Sequence, residues 1–104
     1  MNLDEVELHD AILTSSVTDY DQQTVAIGVK YYKGPEDRDR SSAKLLFESV
    51  SAFHQIVDLD VMKENLFAGQ VNHWRPATNG GTTYIYLVDG CLAITSRTIK
   101  LLPE

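Results

Sequence analysis

A chain of 104 residues is the size of one domain, and residues 1–104 read as a single unit without linker, repeat or low-complexity tract. Its hydrophobic content of 43% and charged content of 23% are ordinary globular values, and one cysteine, Cys91, excludes an internal disulfide and any multi-cysteine metal site. The net charge of −6, with 13 acids against 6 bases in residues 1–64, argues against nucleic acid, whose phosphates it repels, and suits a basic protein partner.

The N-terminus, Met1-Asn2-Leu3-Asp4-Glu5-Val6-Glu7, is acidic and lacks the basic-then-apolar order of a signal peptide. No apolar run approaches the roughly 20 residues that a membrane span needs. A cytoplasmic protein without membrane contact is the expectation. His9-Asp10 follows. Adjacent residues of an extended chain point to opposite faces, so this pair reads as a local cap or turn rather than a catalytic couple.

Ala11 to Asp19 forms a weak first strand. The second, Thr24 to Tyr32, is the clearest, with Val25, Ile27, Val29 and Tyr31 on one face. A hairpin centred on Asp21 places Leu13 opposite Val29 and Val17 opposite Val25, which matches the apolar faces. Lys33 to Ser41 is charged and turn-forming, and residues 34–41 read as a mobile surface loop. A third strand runs from Ser42 to Val50 with Ala43, Leu45 and Phe47 on one side. Phe53, Ile56 and Val57 then stand at i, i+3 and i+4, which predicts a short helix over residues 51–57. Asp58 or Asp60 suits the cap of a further turn through Val61 to Glu64, stopped by Asn65. Capping is also the better use of these oxygens than cation binding.

Leu66 to Arg75 reads as the fourth strand, ended by Pro76. Thr82 to Val88 and Cys91 to Arg97 are the fifth and sixth, joined at Asp89-Gly90, a pair suited to a type I′ turn. That register pairs Leu87 with Leu92 and Ile85 with Ile94. Ile85, Leu87, Leu92 and Ile94 then share the core face, and Ile27 and Phe47 are expected to be buried on the same side of the sheet. Tyr84, Tyr86 and Val88 share the opposite face with Cys91, Ala93 and Thr95. That second face is not solvent-like. The helix covers it, or it lines a cavity, or it meets another chain.

The expected fold class is therefore α+β, mostly antiparallel β: about six strands in a curved sheet or partial barrel, with one short helix between strands 3 and 4. Phosphate-binding, zinc-protease, EF-hand and G-x-S-x-G patterns are absent. No catalytic, cofactor-binding or metal-binding residues are assigned. His54 is expected on the exposed flank of the short helix, and Cys91 as a small strand residue. His73-Trp74-Arg75 combines groups able to stack on and hydrogen-bond a planar or anionic ligand, but a strand places Trp74 opposite to His73 and Arg75. His73, Trp74, Arg75, Tyr84 and Tyr86 form the candidate binding surface.

Three short segments, Glu7-Leu8-His9-Asp10-Ala11, Phe47-Glu48-Ser49-Val50 and Asn65-Leu66-Phe67-Ala68-Gly69, give the chain a resemblance to a loose group of small bacterial β-rich proteins. Some of these are similar to immunity proteins that neutralise toxins. The resemblance implies a protein-binding role and assigns no residue. The functional expectation is a non-enzymatic protein-interaction module of immunity type or similar, forming a homodimer and open to a basic partner. The alternative is a small-molecule-binding or enzymatic barrel with a pocket near Tyr84, Tyr86, His73 and Arg75.

Overall fold

The computed structural model describes residues 2–104. Among the described residues, eight antiparallel strands form two sheets of four. The first sheet takes β1 (Ile12–Asp19), β2 (Thr24–Tyr31), β3 (Ser41–Glu48) and β8 (Thr98–Pro103), in that order. The second has the order β4 (Ala52–Val57), β7 (Gly90–Thr95), β6 (Thr82–Leu87) and β5 (Val71–Arg75). Helix α1 (Leu59–Glu64) joins β4 to β5, and a 3-10 turn spans Leu3–Glu5. Each sheet is a three-strand meander with a fourth strand that arrives from the other sheet. The mostly antiparallel β class is as expected. The single curved sheet or partial barrel is replaced by two sheets that meet across one core.

That core follows from alternation. Val25, Ile27 and Val29 of β2 and Ala43, Leu45 and Phe47 of β3 are buried from one side. Ile85 and Leu87 of β6 and Leu92 and Ile94 of β7 are buried from the other. Fully burying each of these side chains larger than Ala43 contributes about 1.5–3 kcal/mol. Trp74 joins this cluster, and its indole N–H donates to the Val6 carbonyl at 2.9 Å.

Five expectations need correction. Residues 51–57 are not helical: Ala52–Val57 is strand β4. Phe53 and Val57 turn inward in register with Ile94 and Gly90, while Ile56 points outward and is 73% exposed. The i, i+3, i+4 spacing was real, but Phe, Ile and Val favour a pleated surface, and β7 offers a free edge to pair. The helix lies just beyond, capped as expected by Asp58, whose Oδ1 accepts from the Asp60 and Val61 amides at 3.0 and 3.1 Å. Asn65 closes it.

The fourth predicted strand is shorter than Leu66 to Arg75. Residues 65–68 turn, and pairing starts only at Val71. Strand β8 was not expected at all. Ser96 and Arg97 carry the chain from the second sheet to the first, and Ile99 and Leu101 then face the core beside Phe47 and Leu45.

The β6–β7 turn is displaced. Val88 and Asp89 form the loop, Leu87 pairs with Gly90 and Ile85 with Leu92. Gly90 has φ +142°, and a Cβ there would collide with the Ile56 carbonyl oxygen. The bare α-carbon lets β4 approach the end of the hairpin. The displacement amounts to two residues, so the side chains that remain in the strands keep their expected face, and Val88 passes into the turn. In the β1–β2 hairpin Leu13 does pair with Val29, but a bulge at Thr14 moves Val17 opposite Ala26. Val17 therefore faces outward, 61% exposed. The hydroxyls of Thr14 and Ser15 occupy the space where a side chain on Gly28 would lie.

Candidate functional site

The outer face of the second sheet brings together most of the predicted site. Its registers place side chains in two transverse rows. One row reads His54, Ala93, Tyr84, Arg75, and the next reads Ile56, Cys91, Tyr86, His73. The His73 and Tyr86 rings stack with centroids 4.5 Å apart, and Tyr84 stacks on Tyr86 at 5.8 Å. A third row adds Thr82 and Thr95, whose hydroxyls hydrogen-bond at 2.7 Å.

The aromatic ladder has a simple origin. Residues 84 and 86 are two apart on β6 and so share a face, and β5 delivers His73 directly beside Tyr86. The five expected site residues thus divide. His73, Arg75, Tyr84 and Tyr86 lie together outside, and Trp74 stands on the inner face, 9% exposed. Helix α1 does not cover the ladder: its partly buried Met62 packs against the interior. Tyr84 and Tyr86 look outward from the second sheet, with Tyr84 38% exposed.

Two members of this face were missed by the sequence reading, His54 and Ile56, whereas Ala93 and Cys91 stand on it as expected. Once residues 52–57 are a strand, alternation alone brings His54 and Ile56 here. The helical reading hid that signal. Cys91 is half-buried between Ile56 and Tyr86 in its row, as a small strand residue.

His9 and Asp10 lie elsewhere, against β5. Asp10 has φ +63°, and this turn brings its carboxylate to 3.5 Å from His9 Nε2. The His9 Nδ1–H donates to the Asn72 carbonyl at 2.7 Å. That hydrogen bond, followed by the Asp10 charge, raises the His9 pKa above its ordinary value. The pair fastens the N-terminal segment, as a turn pair should. On the first sheet, hydrogen bonds from Lys100 and then Thr98 lower the pKa of Glu48.

Among the described residues no three His, Cys, Asp or Glu side chains cluster to hold a metal ion, and no helix is long and apolar enough to cross a membrane. The chain matches no family model, no curated protein and no solved structure.

Proposed function

We propose that this chain is a non-enzymatic protein-interaction module that self-associates through the outer face of β4, β7, β6 and β5. The observation that supports this reading is the stacked ladder Tyr84–Tyr86–His73, bordered by Ile56 and Ala93. Aromatic residues are enriched where interfaces exclude water, and the same patch on two copies can meet about a two-fold axis. A specific dimer of this kind buries more than about 1,000 Å2 in total. The acidic residues of positions 4–21 remain outside this contact and suit a basic protein, as in toxin neutralisation. Light scattering at micromolar concentration tests the dimer. The wild-type chain is expected at twice the monomer mass and Tyr86→Lys at the monomer mass. A monomeric wild-type chain overturns the self-association.

A further inference from the structure

The two sheets have four edges, and these are treated differently. The edge of β5 is covered: Asp10 N–H donates to the Val71 carbonyl at 2.8 Å, Val71 N–H to the Ala11 carbonyl at 3.1 Å, and His9 holds the Asn72 carbonyl. The edge strand β8 carries Lys100 and ends at Pro103, the residue types that blunt an edge. Strands β1 and β4 are each paired with one neighbouring strand, β2 and β7, and on β1 the Leu13 N–H is already taken by the Gln70 side chain. Neither contains lysine, arginine or proline.

A cleft of about 630 Å3 opens between these two strands. Ser16 and Thr18 face it from β1, Phe53 and Gln55 from β4, and Val25 and Val50 lie in its lining. Ser16 and Thr18 pair with Ile27 and Val25, so they occupy the inner face of the first sheet, yet both are polar and exposed. Apolar side chains there would close the sandwich. The hydroxyls keep it open. The lining holds one carboxylate, Asp19, and no cation, and Asp21 follows it.

We infer that this cleft takes an extended, basic segment of a partner protein, which adds as a strand to the edge of β1. Unpaired backbone groups on the cleft wall select an extended polypeptide over a small molecule. The apolar lining from Phe53, Val25 and Val50 takes alternate side chains of that strand, and Asp19 attracts a lysine or arginine. The inference rests on the reading of the chain as a protein-binding module, but it uses a surface separate from the aromatic ladder.

The test uses a fluorescent peptide of about seven residues, alternating valine and lysine, enough to run the length of a strand. Fluorescence anisotropy is expected to show saturable binding. A valine–glutamate peptide should bind at least about tenfold more weakly, and added salt should weaken the basic peptide. Methylating alternate backbone nitrogens should abolish binding, because it removes the strand's donors. Thr18→Lys or Gln55→Lys, both exposed substitutions, should also abolish it, whereas Tyr86→Lys should leave it intact even where that variant is monomeric. Absence of binding, equal binding of the methylated peptide, or no effect of Thr18→Lys overturns the inference. So does loss of the homodimer in Thr18→Lys, which would assign the cleft to a second copy of this chain.

Discussion

Gly69 lies against the backbone of Asp10: a Cβ on Gly69 would stand 2.6 Å from the Asp10 α-carbon. Both residues are left-handed, with φ +117° and +63°. Arg40 secures this crossing from above, donating through Nε to the Asp10 carbonyl and through Nη2 to the Phe67 carbonyl, each at 3.0 Å. The N-terminal segment and the turn after α1 are thereby locked together. Gly69→Ala should destabilise by about 2–3 kcal/mol, from a strained backbone and a contact with backbone atoms that cannot rotate away. Urea unfolding followed by the single tryptophan, Trp74, measures this. An unchanged midpoint would show that the crossing is pliable.

Arg40 separates the loop's two ends in function. Residues 35–39 are exposed, as expected of a surface loop, but Arg40 is anchored and also lies over the Tyr32 ring at 4.9 Å. Arg40→Ala should cost about 1–2 kcal/mol, because two carbonyls lose a charged donor. Excising residues 35–38 should change stability by less than about 0.5 kcal/mol, since little apolar surface is lost. Equal effects of the two changes in thermal unfolding would contradict this division.

The core makes an ordinary demand for volume. Ile27 is 0% and Leu87 4% exposed, and they pack from opposite sheets. Alanine at either site should cost about 2–5 kcal/mol in a denaturant titration. Val17→Ala, by contrast, should fall within about 0.5 kcal/mol, because the bulge turns this residue to the surface.

His9 predicts the direction of one pH effect. Its pKa is raised in the folded chain, so its contribution is complete below the ordinary value of 6.5. That contribution is lost as pH rises through the raised folded value. Stability should therefore decline slightly across this interval in the wild-type chain, and His9→Gln should flatten that decline. The group is exposed, so the change is small. Chemical denaturation at a series of pH values on either side of 6.5 measures it. A slope unaltered by His9→Gln would exclude the Asn72 and Asp10 contacts as its source.

Much of the fold is determined by local pattern. The strict alternation of Val25, Ile27 and Val29, and of Ile85, Leu87, Leu92 and Ile94, commits each side chain to a face whatever the partner strand. That is why the tyrosine ladder was legible even with the β6–β7 register displaced by two residues. Asp58 and Asn65 were legible as caps because a cap depends on backbone groups a few residues away. Residues 52–57 fit both periods, 3.6 and 2, over too short a span to separate them; only the free edge of β7 decided for strand and so added His54 and Ile56 to the face. Thr98 to Leu101 also alternates, yet its strand exists because Ser96 and Arg97 cross to the other sheet, where β3, paired with β2 on one side, has its other edge free. The pairing of β4 with β7 and β8 with β3, and the open side between β1 and β4, are relations between distant segments. Periodicity assigns faces within one segment; the neighbour of each edge is set by which unpaired backbone the folded chain brings within hydrogen-bonding reach.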